Sequence, residues 1–105
     1  MLFIIYQEDV ENSAPLREIH KPAHFKYLAE WEDKLVLGGA MMSDDGTGRL
    51  GSVLILNVKS RIEAEAFSAN EPLRMGGVFK SVKITRMRRG QWNPNAAPKT
   101  AEGNS

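Results

Sequence analysis

Residues 50–69 read Leu50-Gly51-Ser52-Val53-Leu54-Ile55-Leu56-Asn57-Val58-Lys59-Ser60-Arg61-Ile62-Glu63-Ala64-Glu65-Ala66-Phe67-Ser68-Ala69, and the fold turns on how this stretch divides. Leu50 to Val58 is the longest apolar run in the chain, with the β-branched and aliphatic content of a strand. Ser60-Arg61-Ile62-Glu63 is a capping box: the serine and glutamate side chains can each accept a backbone N–H at a helix start. A helix through about Ala69 is therefore predicted. The strand is apolar at Leu50, Leu54, Leu56 and Val58 on one side and at Val53 and Ile55 on the other, so neither face suits water.

Upstream, Ser43-Asp44-Asp45-Gly46-Thr47-Gly48 is the strongest turn signal in the chain. It links this strand to another over Leu35–Met42, where Gly38 and Gly39 suggest a bulge or a close backbone approach. From Pro15 onward Leu16, Ile19, Ala23, Tyr27, Leu28 and Trp31 recur at helical spacing, behind Ser13 or Ala14 and a proline suited to a first turn. Pro22 lacks a donor and crowds the preceding turn, so a kink, or a break with a second helix starting near Lys21, is expected. Leu2–Gln7 reads as the first strand and Glu8–Ser13 as a loop. Downstream, Asn70-Glu71-Pro72 ends the second helix, Pro72–Met75 can turn, Gly76-Gly77 closes it, and Val78–Met87 reads as the last strand.

The order β-α-β-β-α-β is the split βαβ, ferredoxin-like arrangement of an α+β fold, with both crossover helices on one face of an antiparallel sheet. Leu2, Ile4 and Tyr6 oppose Phe3 and Ile5 in the first strand, so it too is apolar on both faces. The helix-free face then needs a cover, and a second copy packed sheet to sheet supplies it; a homodimer is expected. One domain is read over residues 1–89. In the tail, residues 90–105, Trp92 beside Pro94 suggests that Gly90–Pro94 docks on the body or on the partner while the remainder is mobile.

The composition of the 105 residues narrows the chemistry: 42% are hydrophobic and 26% charged, which excludes whole-chain disorder. With no cysteine there is no disulfide, thiolate nucleophile or zinc-thiolate site, and two histidines are too few for an all-imidazole metal site. Neither a metal nor an organic cofactor is called for. Fourteen basic against 13 acidic side chains give a net charge of +1, too little for a nucleic-acid surface despite the run Lys80, Lys83, Arg86, Arg88 and Arg89. No apolar run approaches the roughly 20 residues of a membrane span, and Met1–Tyr6 has no basic leader, so a reducing, cytoplasmic setting is expected.

Three features stand out as candidate chemistry. Arg17, His20 and His24 lie at spacings that put them on one stripe of the first helix, continuous with Tyr27, Leu28 and Trp31. A partly buried core histidine beside a surface one is the plainer reading of them. Glu71 is fixed in an extended conformation by Pro72, which aims its carboxylate; an acidic residue opening a short helix is the plainer reading. Ser52 is a lone hydroxyl in the most apolar strand and needs a partner.

The opening strand, Arg17 through Lys21-Pro22-Ala23-His24-Phe25-Lys26-Tyr27-Leu28, the strand and helix from Val53 to Ala69, and Asn70-Glu71-Pro72-Leu73 leading to Gly76-Gly77-Val78-Phe79 together resemble the YCII-related (YciI-like) family of small dimeric α/β proteins, over about residues 1–88. The resemblance implies a dimeric α/β barrel and a histidine in the first helix paired with an aspartate before a proline. The histidine falls on His24, and the Asp-Pro becomes Glu71-Pro72, where the extra methylene carries the carboxylate about 1.5 Å further. One branch, typified by a chlorohydroxyquinol dehydrochlorinase, is similar at Asp9, Arg17 and Ser52, which implies an oxyanion site of arginine and serine with an aspartate behind them. Such a set suits a cofactor-free lyase or isomerase acting on a small hydroxylated aromatic, quinone-like or enolisable carbonyl compound, with His24 as base. The alternative is a non-catalytic dimeric module that holds a small ligand in the same cleft. Hydrogen-bond contact between His24 and Glu71 favours the enzyme, and separation well beyond about 3.5 Å the binder.

Overall fold

Strand β1 runs from Leu2 to Asp9, past the end of its apolar run, because the alternation continues through Gln7 and Asp9 after hydrophobicity has stopped. The computed structural model describes residues 1–103; Asn104 and Ser105, the end of the expected mobile tail, lie outside the described residues. After β1 come helix α1 (Ala14–Glu30), strands β2 (Leu35–Met42) and β3 (Arg49–Asn57), helix α2 (Arg61–Ala69), one short turn of helix α3 (Pro72–Met75) and strand β4 (Phe79–Met87). The sheet order is β2-β3-β1-β4, with every neighbouring pair antiparallel, as the ferredoxin-like reading requires.

Helix α2 starts where the capping box puts it: Ser60 Oγ accepts the Glu63 N–H at 3.2 Å. The glutamate turns to Lys59 N–H and to Lys34 Nζ, the latter donating at 2.7 Å. Helix α1 corrects one expectation, because it runs through Pro22 as one helix, with no break and no second helix starting near Lys21. Pro22 and Glu18, whose carbonyl loses its donor, are both exposed, so water can serve the orphaned group.

The core lies between the sheet and the helices. Phe3, Ile5, Leu54, Leu56 and Val58 from the strands meet Ala64 and Phe67 of α2, with Tyr27, Leu28 and Trp31 of α1 packed against them. Trp31 meets the fully buried Phe67 edge-on at 5.0 Å between centroids, and Tyr27 Oη donates to the Phe67 carbonyl at 3.0 Å. These contacts fix the second half of α1 over the sheet, and its first half reaches the end of β1. Register puts Phe3 opposite Leu56, Ile5 opposite Leu54 and Gln7 opposite Ser52 on the helix side. Ile4, Tyr6, Val53, Ile55 and Leu37 share the other face, which no helix covers; Tyr6 is 44% and Leu37 64% exposed.

Residues 90–94 are all exposed, and Trp92 stands with the Arg89 guanidinium 5.6 Å from its ring rather than packed on the body. A 3-10 turn (Pro94–Ala96) and a Thr100–Gly103 bridge follow. No helix among the described residues is long and apolar enough to cross a membrane.

Candidate active site

Two buried carboxylates anchor the region where α1 crosses the end of the sheet. Asp9 shares the helix-facing parity of Phe3, Ile5 and Gln7, and is 7% exposed. Arg17 grips it with both prongs, Nε donating to Oδ2 and Nη2 to Oδ1, each at 2.8 Å. Ser13 stands at the N-cap of α1, yet its hydroxyl donates to Asp9 Oδ2 at 2.8 Å instead of capping the helix. Burial alone would raise the Asp9 carboxyl; the hydrogen bonds from Arg17 and Ser13 and the charges of Arg17 and Arg49 outweigh it and hold the group below the usual carboxylate range. This pair staples the first turn of α1 to β1.

Two helical turns further on, His24 Nδ1 donates to Glu71 Oε1 at 2.6 Å. The proline constraint operates as the sequence implies, holding Glu71 extended at φ −72° and ψ 126°. Its Oε1 also accepts the Leu73 N–H at 3.2 Å, so the helix-opening reading and the histidine-pairing reading both hold for one carboxylate. Glu71 is fully buried and Oε2 has no hydrogen-bond partner among the described residues. A proton on Nδ1 leaves the lone pair of neutral imidazole on Nε2. The added methylene of glutamate thus does not prevent contact.

Ser52, on β3, is 7% exposed, and its Oγ accepts a hydrogen bond from Gln7 Nε2 at 2.9 Å. No hydrogen bond joins Ser52 to Arg17 among the described residues. Two adjoining cavities separate them: one of about 200 Å³ is lined by Gln7, Ser52, Leu54, Leu28 and Gly38, the other, of about 150 Å³, by Arg17, Glu18 and Lys21. His24, Phe25, Arg49 and Leu73 line both. The Arg49 side chain, at the start of β3, makes no ion pair or hydrogen bond among the described residues. Partial loss of water and the like charge of Arg17 lower its pKa, opposed by Asp9, and an arginine so shifted stays charged. A larger hollow of about 500 Å³ opens beside Arg49 on the other side, against Tyr6, Glu8, Asp9 and Lys80. The described residues contain no cluster of three or more histidine or carboxylate side chains able to hold a metal ion.

The model of the YCII-related domain matches residues 1–88. The chain belongs to the YCII-related family. Among solved structures, this YCII-related protein is similar to the 5-chloro-2-hydroxyhydroquinone dehydrochlorinase of Burkholderia phenoliruptrix, solved in complex with 2,5-dihydroxybenzoquinone: the two are 31% identical over 86% of this chain and 96% of the other, with a TM-score of 0.77. A protein of Mycobacterium tuberculosis shares the fold at 18% identity, with a TM-score of 0.50 over 87% of this chain and 95% of that one. No curated protein matches significantly.

The YCII-related framework leaves His20 outside the cavities. Its ring packs on Gly76 so closely that a side-chain carbon there would overlap it, which ties α1 to the end of α3. Sequence reasoning missed Gln7 and Arg49. Gln7 carried a signal: it occupies the inward parity of β1 between Ile5 and Asp9, where a polar side chain needs a reason. Arg49 carried none, since only the β3 pairing and the crossing of α1 bring it beside His24.

Proposed function

We propose that this YCII-related protein is a cofactor-free lyase or isomerase acting on a small hydroxylated aromatic or quinone-like ring. One observation carries the reading: a histidine whose Nδ1 is held at 2.6 Å by a buried carboxylate sits on the wall of a cavity of about 200 Å³. A dry cavity of roughly 150 Å³ accepts a benzene ring, so this one suits a single substituted ring. The similarity to a dehydrochlorinase over most of both chains supports elimination as the reaction class.

In this reading His24 Nε2 takes the proton of a ring hydroxyl in the keto tautomer, where the carbon bearing the leaving group is tetrahedral. The O–H electron pair becomes a carbonyl π bond, the conjugated pair shifts, and the leaving group departs with its bonding electrons. The sum is loss of HX, with the proton on His24 and the charge on the departing anion. Glu71 stabilises the imidazolium and fixes its tautomer. Asp9 and Pro72 are positioning residues, for Arg17 and Glu71 respectively. Arg17 and Arg49, whose charges both act on the Asp9 carboxylate, bring two guanidinium groups to the cavities beside His24, where they would favour an oxyanion, and Ser52 adds a donor.

The uncovered sheet face supports a homodimer formed through Ile4, Tyr6, Leu37, Val53 and Ile55; a monomeric mass by light scattering at micromolar concentration counts against it. The absence of cysteine is compatible with the reducing, cytoplasmic setting proposed for the protein. Chloride release from 5-chloro-2-hydroxyhydroquinone tests the activity. His24→Ala should keep the circular-dichroism spectrum and abolish release, and full activity in that variant ends the assignment. Ring binding without turnover by the unaltered protein would leave a binding module.

A further inference from the structure

Two histidines of α1, one helical turn apart on the same stripe, meet the two ends of α3. His24 meets the first end, donating from Nδ1 to Glu71 Oε1 at 2.6 Å. His20 meets the last: a carbon added to Gly76 would find its nearest neighbours in the His20 ring, with Cγ at 2.8 Å. The backbone does not ask for glycine at that position. Gly76 has φ −79° and ψ 0°, a turn conformation that residues with side chains adopt, while the left-handed φ of +80° belongs to Gly77. What the missing side chain makes room for is the His20 imidazole, which makes no hydrogen bond among the described residues and borders neither the two cavities beside His24 nor the larger hollow.

The two ends of α3 move as one body. The Glu71 carbonyl accepts the Met75 N–H at 3.0 Å, the Pro72 carbonyl accepts the Gly76 N–H at 2.9 Å, and the ring of Pro72 locks its own φ. The Glu71 carboxylate rides on this turn, because its Oε1 accepts the Leu73 N–H from within it. A displacement of Gly76 therefore carries the carboxylate with it. On the α2 side Arg74 Nη1 holds the turn by donating to Ser68 Oγ at 2.6 Å. We infer that His20 is a positioning residue: its ring, seated on Gly76, sets how closely α3 approaches α1 and so keeps Glu71 within bonding distance of His24. That the pair acts as a base rests on the proposed function; that His20 sets its geometry does not.

Proton magnetic resonance of the full chain tests this through the His24 Nδ1 proton, which a short bond to a carboxylate moves far downfield and which His24→Ala identifies. His20→Ala empties the seat, and Gly76→Ala forces either the ring off or the turn away, so both break the contact. In each variant the resonance should move upfield and its proton should exchange with water about tenfold faster, while the circular-dichroism spectrum persists. Chloride release should fall in kcat on the order of 10²-fold, the effect of a displacement of roughly 1 Å, with KM nearly unchanged. A resonance absent from the unaltered protein, unmoved in either variant, or lost only together with the folded circular-dichroism spectrum overturns the inference. A His20-dependent resonance in a protein that releases no chloride overturns only the lyase reading; release that needs His24 and is untouched by His20→Ala overturns only this one.

Discussion

Breaking the Asp9–Arg17 pair should loosen the site before it unfolds the protein. Asp9→Asn preserves shape and removes the charge that two 2.8 Å guanidinium bonds and the Ser13 hydroxyl converge on. Side-chain exposures of 3% for Asp9 and 12% for Arg17 place the pair with buried ion pairs rather than surface ones. Removing one partner of such a pair costs about 3–5 kcal/mol, because the survivor is left uncompensated. Here the survivor also faces Arg49, while asparagine can still accept one N–H, so a loss of about 3 kcal/mol is expected. In a domain of this size that lowers the melting temperature by roughly 12–24 °C.

The assay is urea unfolding of the single variants Asp9→Asn and Arg17→Met and of their combination, at one protein concentration. A coupling energy near 0.5 kcal/mol or below, the level of an exposed pair, would refute the buried-pair argument. Acid supplies an independent check. The folded carboxyl titrates below its ordinary 3.8, so its contribution is complete above that pH and is lost as pH falls through the folded value. The stability gap between the unaltered protein and Asp9→Asn should therefore close only in strong acid. If the gap is equally wide on both sides of that range, the carboxylate is not its source.

The other expectations are simpler to state. Glu71→Gln keeps the contact with Leu73 but not the charge beside His24, and should lower kcat by about 10²–10⁴ with little change in KM; an unchanged kcat removes Glu71 from the chemistry. Phe67→Ala empties the contact with Tyr27 and Trp31 and should cost about 3–5 kcal/mol in urea unfolding. Gly51→Ala sets a methyl against the Gln7 carbonyl oxygen and 2.9 Å from Met41 Cε, so backbone must shift; a loss of about 1–3 kcal/mol is expected, and a neutral result would mean that β1 and β3 can separate there.

Most of the fold was legible because its signals are local. The Ser60 cap, the Asp44–Gly48 turn and the two-faced strands act over a few residues, and the structure keeps them. The Pro22 break was wrong for a reason that local pattern cannot hold: whether a missing donor matters depends on whether its acceptor meets water, and exposure is a tertiary property. The end of β1 was missed similarly, since apolar content stops at Ile5 and Tyr6 while parity runs on to Asp9. The pairing of His24 with Glu71 came from family resemblance, as spacing alone leaves both residues with ordinary explanations.

The parity of β1 ties these points together. Its helix-facing residues run Phe3, Ile5, Gln7, Asp9, and their β3 partners run Leu56, Leu54, Ser52. One layer is thus hydrocarbon at one end and hydrogen-bonded polar groups at the other, and the change falls where α1 crosses with Arg17 and His24. At the apolar end packing is non-directional and tolerates repacking. At the polar end each group needs a partner in a set direction, and an oxygen left without one marks where the chain gives up stability. Gln7 stands at that boundary, the first inward position of β1 where hydrocarbon gives way, which is why Gln7→Met, by removing an unpartnered buried oxygen, should keep the fold and need not weaken it.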